Sequence, residues 1–138
     1  MRILIFGLPG SGKTTLAKEI ASQLPCLYLN GDRVRALFQD NDFSLDGRHN
    51  QARRMKALAD MAGDILVIAD FVCPTNETRK IFDADLLIWM NTINDCKYSD
   101  TNKIFEKPDT VDIEITLRDA NANAKHIMQR IKELEAWA

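Results

Sequence analysis

The sequence predicts an α/β domain: a central, mostly parallel sheet of about five strands between two layers of helices. Two observations carry this. The apolar run Ile3-Leu4-Ile5-Phe6 is short and unbroken, as in a strand buried on both faces. An amphipathic helical pattern then follows a loop, and the strand-then-helix order recurs along the chain, which is the signature of parallel strands joined by crossover helices. A length of 138 residues fits one domain spanning 1–138.

Taken in order, residues 13–24 read as a helix with Leu16, Ala17, Ile20 and Leu24 on one face, stopped by Pro25. Residues 26–29 read as a second strand closed by the turn pair Asn30-Gly31. A short helix is expected over 34–38. After the polar break at 40–42, Phe43-Ser44 leads a long helix to about Ala62, with Met55, Leu58, Ala59 and Ala62 along one side and Gly63 ending it. Residues 65–69 form the expected third strand, 74–82 a helix, and 86–90 a fourth strand. Residues 93–108 are polar and without period. The alternation over 111–117 suits an edge strand. Ala124, Ile127, Met128, Ile131 and Leu134 mark a C-terminal helix, with Trp137 expected to pack.

Composition narrows the function. Eighteen basic residues against 20 acidic ones give a formal charge of -2. That balance disfavours a nucleic-acid coat, which needs a positive excess, without excluding a local basic pocket. Cys26, Cys73 and Cys96 are odd in number and widely spaced, so neither a disulfide framework nor a CxxC metal site is expected, and a reducing, cytoplasmic setting is. No run approaches the length of a membrane helix, and the apolar run at 3–6 is too short for a signal peptide.

Gly7-Leu8-Pro9-Gly10-Ser11-Gly12-Lys13-Thr14, followed by Thr15, satisfies the G-x-x-x-x-G-K-[ST] pattern between a strand and a helix. Such a P-loop turns consecutive backbone N–H groups inward as an anion nest at a helix N-terminus. It predicts ATP binding by residues 7–15, with Lys13 at the β- and γ-phosphates and the Thr14 hydroxyl on Mg2+. In an open parallel sheet ligands bind at the carboxyl ends of the strands, so the residues after each strand matter most. Asp70 sits where a second metal-holding residue would; its plain reading is a turn or cap. Asp32 is placed either to take a proton from an acceptor hydroxyl or to cap the short helix. Arg35, Arg48, Arg53 and Arg54 are candidate clamps for an anion or a solvated helix face, and position favours Arg35 and Arg48. His49 and His126 carry no partner pattern.

Gly7 to Thr15, Asn30-Gly31-Asp32-Arg33-Val34-Arg35, Phe43-Ser44 with Arg48, Gln51 and Arg53-Arg54, Phe71-Val72-Cys73-Pro74 with Arg79, and Phe105-Glu106-Lys107-Pro108 together resemble the adenylylsulfate kinase family in order and spacing. The likeness runs to about residue 115 and is to a compact, phage-type member. It implies transfer of the ATP γ-phosphate to the 3′-hydroxyl of adenosine 5′-phosphosulfate, a small anionic acceptor. It implies acceptor binding by Asp32, Arg35, Arg48, Gln51, Phe71 and Pro74, with Phe71 stacked on the adenine and Lys13 and Asp32 as the catalytic pair. A homodimer is the oligomer considered. Three residues depart from the family pattern: Asn30 for an aspartate, Gln51 for an asparagine and Cys73 for a serine. The lid is also short, with Lys97 and Lys103 as its cations. Two other readings stay open: a kinase for another acceptor, such as a nucleotide or a hydroxymethylated base in DNA, and a nucleotide-binding regulatory module without transfer.

Overall fold

The computed structural model describes residues 1–136; the expected packing of Trp137 lies outside them. Five strands form one sheet in the order β2-β3-β1-β4-β5, and every pair is parallel. The strands are β1 (Arg2–Phe6), β2 (Leu27–Asn30), β3 (Val67–Asp70), β4 (Leu86–Met90) and β5 (Ile113–Ile115). The helices are α1 (Lys13–Ala21), α2 (Gly31–Leu37), α3 (Leu45–Asp60), α4 (Asn76–Phe82), α5 (Ser99–Ile104) and α6 (Ala120–Ala136).

β1 lies at the centre, and its period of two explains its unbroken apolar run. Ile3 and Ile5 face a core shared with α1 and α6, containing Leu16, Ile20, Ile68, Ile88, Ala124 and Ile127. Leu4 and Phe6 face the opposite core, built from α2, α3 and α4 around Val34, Met55 and Phe82. A strand covered on both faces has no position for a polar side chain. At the β5 edge, by contrast, Ile113 and Ile115 are buried while Glu114 is exposed, so alternation returns.

Register corrects several expected boundaries. β2 starts and ends one residue later than expected, because Leu27 pairs with Val67 and Asn30 with Asp70. β3 begins at Val67 instead of residue 65, and Ile65 is exposed. The expected turn at Asn30-Gly31 is absent: α2 opens directly at Gly31, and the Asn30 side chain accepts a hydrogen bond from the Arg33 N–H at 3.0 Å. The cap of α2 is therefore Asn30, not Asp32, which leaves Asp32 exposed in the first turn. The segment over 93–108 contains a short helix, α5, where no period was legible. With six residues and Thr101 as its one buried position, it offers no repeat for a periodicity reading to detect.

The α2 start is tight. A Cβ on Gly31 would lie 2.5 Å from the Phe71 Cβ and 3.3 Å from the Asp70 carbonyl oxygen. Gly31→Ala is expected to lower stability in urea unfolding by about 1–3 kcal/mol, the usual range for overpacking. It should also displace the end of β3.

Candidate active site

The P-loop is fixed from several sides. Gly12 caps α1 in the left-handed region at φ 102°, which lets the loop swing its N–H groups toward the helix axis. Ser11 N–H donates to the Leu8 carbonyl at 3.1 Å. The Thr92 hydroxyl donates to the Ser11 carbonyl at 2.7 Å, and an Arg118 Nη2–H to the Gly10 carbonyl at 2.5 Å. Lys13, the first residue of α1, is buried and donates to the Leu8 carbonyl at 3.0 Å. Burial pulls its ammonium down to about 8, against the opposing pull of Asp70 and then Asp32.

The in-register pairing of Asn30 with Asp70 gathers the next cluster. Asp70 is buried, and its carboxylate receives the Tyr28 hydroxyl. Asn30 Nδ2 donates to its two oxygens at 3.2 and 3.3 Å, and the Thr14 hydroxyl lies 3.4 Å from Oδ1. Burial raises the Asp70 carboxyl above its usual range, opposed by the hydrogen bonds from Tyr28 and Asn30 and by the Lys13 charge. The Thr14 hydroxyl and the Asp70 carboxylate are hard oxygen donors side by side beneath the P-loop, a set that fits Mg2+. That ion takes one or two protein oxygens and completes its shell with water and phosphate. Among the described residues no group of three or more His, Cys, Asp or Glu could hold a metal, so an all-protein cage is not on offer there.

A single cleft of about 620 Å³ runs from this floor to the arginines. Its lining includes Pro9, Gly10, Gly12, Lys13, Thr14 and Thr15 on one side, and Asp32, Arg35, Arg48, Gln51, Phe71 and Pro74 on the other. Every residue suggested for the acceptor therefore borders the same space as the P-loop. Their surroundings differ. Arg35 donates to the Asp42 carbonyl at 3.0 Å and pairs with Asp40 at 3.4 Å, while its buried Nη2 has no partner among the described residues. Gln51 is engaged at both ends, donating to the Gly31 carbonyl at 3.0 Å and accepting from Arg54 at 2.7 Å. Phe71 is buried, with its ring edge-on to Phe82 at 5.6 Å. Arg54 turns away to Asp40 at 3.0 Å, and Arg53 to Asn50 at 2.9 Å.

Several residues in or beside the site escape a reading of sequence. Phe43 is half exposed at the cleft, with the Arg35 and Arg48 guanidinium groups 4.3 and 5.1 Å from its ring centre. Arg118 is the first cation after β5, a place the strand-end rule alone marks. Tyr28 lies two residues before Asn30, hence on the same face of β2, and period two marks it once Asn30 is recognised. The segment over 93–108, the expected lid, presents Tyr98, Asp100 and Thr101 to the cleft, whereas its expected cations Lys97 and Lys103 are not among the lining residues. Arg79 is structural: its guanidinium lies against the Phe6–Phe105 ring pair, 4.3 and 5.2 Å from the two ring centres, and donates to the Cys73 and Glu106 carbonyls.

Fold and site together define a P-loop nucleotide-binding α/β protein of the kinase-like type. The AAA domain family model AAA_18 matches residues 3–133, and the chain belongs to that family. No curated protein sequence matches it. Among solved structures, the APS kinase CysC of Mycobacterium tuberculosis in complex with AMPPNP and APS superposes with a TM-score of 0.80. The two are 18% identical, over 95% of this chain and 96% of that one. The hexameric APS kinase of Thiobacillus denitrificans gives a TM-score of 0.74 at 24% identity, covering 96% of this chain and 29% of that one. Shikimate kinase of Acinetobacter baumannii in complex with shikimate gives 0.66 at 16% identity, over 96% and 93%. These identities establish a shared fold. No helix among the described residues is long and apolar enough to cross a membrane.

The depressed Lys13 ammonium has a consequence for stability. Between about 8 in the folded state and 10.5 unfolded, the unfolded chain binds the extra proton, so this group's contribution to stability rises with pH across that window. Below it the buried charge is a net burden. Lys13→Met is expected to stabilise the nucleotide-free protein at pH 7 by on the order of 1–3 kcal/mol. Urea unfolding of the two proteins at pH 7 checks this, and equal midpoints would refute it.

Proposed function

We propose that the protein is a kinase that transfers the γ-phosphoryl group of MgATP to the 3′-hydroxyl of adenosine 5′-phosphosulfate. The observation that carries the reading is Arg35: a buried guanidinium whose Nη2 has no partner, in the wall of the cleft that also holds the P-loop. A buried donor left unpaired is unfavourable unless a ligand satisfies it, and an oxyanion is its natural complement. The order of residues shared with adenylylsulfate kinases and the fold shared with APS kinases support that acceptor.

In this scheme the P-loop over 7–15 holds the triphosphate through its backbone N–H groups, Pro9 having none. Lys13 leaves the Leu8 carbonyl and neutralises charge on the transferring group. Thr14 and Asp70 would hold Mg2+, which supplies electrostatic stabilisation of the phosphates. Arg35 and Arg48 fix the acceptor's anionic end, and Asp32, exposed at the α2 N-terminus across the cleft, orients or accepts the proton of its hydroxyl. Phe71 is buried with its ring packed on Phe82, and Phe43, half exposed, carries the Arg35 and Arg48 guanidinium groups over its ring, so the two arginines and Phe43 form one wall for the acceptor.

A kinase for a different small acceptor is the second reading. It is favoured by Asp100, an acid where the lid meets the cleft, and by the absence of Lys97 and Lys103 from that lining. A carboxylate there suits an acceptor with more hydroxyl or amino donors and less charge.

Labelled γ-phosphate from MgATP, offered adenosine 5′-phosphosulfate beside other nucleotides, small alcohols and oligonucleotides, separates these. Label on the phosphosulfate supports the first reading, label on another acceptor the second, and no label on any acceptor would reject both. Lys13→Ala is expected to lower transfer by at least about 100-fold, on the scale of losing one charge-stabilising donor. Arg48→Ala is expected to raise the acceptor KM about tenfold or more while the ATP KM stays within about twofold. Equal effects on both would remove Arg48 from the acceptor side.

A further inference from the structure

Arg48 does not stand alone in the cleft wall. It rises from the first turn of α3, is buried, and donates from Nε to the Phe43 carbonyl at 3.3 Å. Its Nη2 donates to the Thr101 hydroxyl at 2.8 Å. Thr101 belongs to α5, the lid helix, more than 50 residues further along the chain, and it too is buried. Both residues line the cleft. Thr101 is the one buried position of α5, so the hydroxyl on Arg48 is the polar contact by which this helix meets the acceptor wall.

We propose that Thr101 is a positioning residue for the acceptor arginine, and that the Thr101–Arg48 hydrogen bond latches the lid helix onto the acceptor site. The inference rests on the reading of Arg48 as an acceptor clamp. With Nε held by the Phe43 carbonyl and Nη2 by Thr101, the guanidinium plane is fixed and its remaining N–H groups are set toward the cleft. An arginine whose fork is fixed beforehand loses less side-chain entropy when an oxyanion arrives. The same bond makes lid position and guanidinium orientation one coupled variable. Burial works against the Arg48 charge, and so does nearby Arg35, while Asp100 on α5 and Asp32 on α2 attract it.

The lid carries its own reporter. Lys97 and Lys103 are exposed on either side of Thr101 and are tryptic sites. Limited trypsinolysis without any acceptor is the first arm, followed by mass spectrometry of cuts after Lys97 and Lys103. Thr101→Val, which keeps shape and removes the hydroxyl, is expected to speed these cuts about tenfold, the effect of one lost hydrogen bond to a charged group. Thr101→Ser is expected to restore the wild-type rate to within about twofold. In an Arg48→Ala background, Thr101→Val is expected to change nothing further, because the bond is already gone. Additive acceleration in the double variant, or failure of serine to rescue, overturns the latch. This arm does not depend on the acceptor's identity. The second arm uses adenosine 5′-phosphosulfate: Thr101→Val should raise its KM about tenfold, leaving kcat and the MgATP KM within about twofold. An unchanged acceptor KM beside a raised one in Arg48→Ala overturns the positioning role alone. Unchanged values in both variants overturn the acceptor reading and this role with it. Thermal unfolding of the Val and Ser variants checks that the fold is kept.

Discussion

The whole arrangement depends on β1 lying at the centre of an all-parallel sheet. Its carboxyl end delivers the P-loop between the ends of β3 and β4, and the parallel register sets Ile5 opposite Asp70 and Asn30 opposite Asp70. Parallel strands place all their carboxyl ends on one side, so loops far apart in sequence open into one crevice. Both faces of β1 must be apolar for this to hold, and its Ile-Leu-Ile-Phe run supplies the two cores at once.

The price of that centrality is charge taken out of water. Lys13 and Asp70 are both buried at the strand ends, and burial drives each toward its neutral form. Neither is a stabilising choice in the free protein. Tyr28, Asn30 and Thr14 surround Asp70 with donors, and the Leu8 carbonyl receives Lys13, so both side chains are held in place despite their burial. Local instability of this kind is what a site for a highly charged ligand requires.

The wall opposite the P-loop follows a different logic. Three guanidinium groups stack on aromatic rings there: Arg35 and Arg48 on Phe43, and Arg54 on Phe38. Asp40 ties Arg35 to Arg54, and the Asp42 carbonyl receives Arg35 as well. The polar break over 40–42, featureless as a sequence, is thus the part that aims the arginines. Arg79, against the Phe6 and Phe105 rings and bonded to the Glu106 carbonyl, joins the segment after α5 to the core beneath.

By itself the sequence determined the sheet class and the P-loop, because local signals carry them: a buried strand, three glycines, a lysine and a helix. Position along the chain also marked Asp32, Arg35, Arg48 and Asp70, and the family resemblance added Gln51, Phe71 and Pro74, all of which border the cleft. What it could not decide was which of these keep a free end. Gln51 and Phe71 are engaged by Gly31, Arg54 and Phe82, and Phe43 by two guanidinium groups, whereas the Arg35 Nη2 has no partner among the described residues. Nor could it show that Tyr28 reaches Asp70, which follows from the register of β2 on β3. The bond from Arg48 to Thr101 is likewise invisible in one dimension. Local pattern fixes what a segment becomes, but a hydrogen-bond partner far away in the chain is set only when the sheet has brought the two segments together.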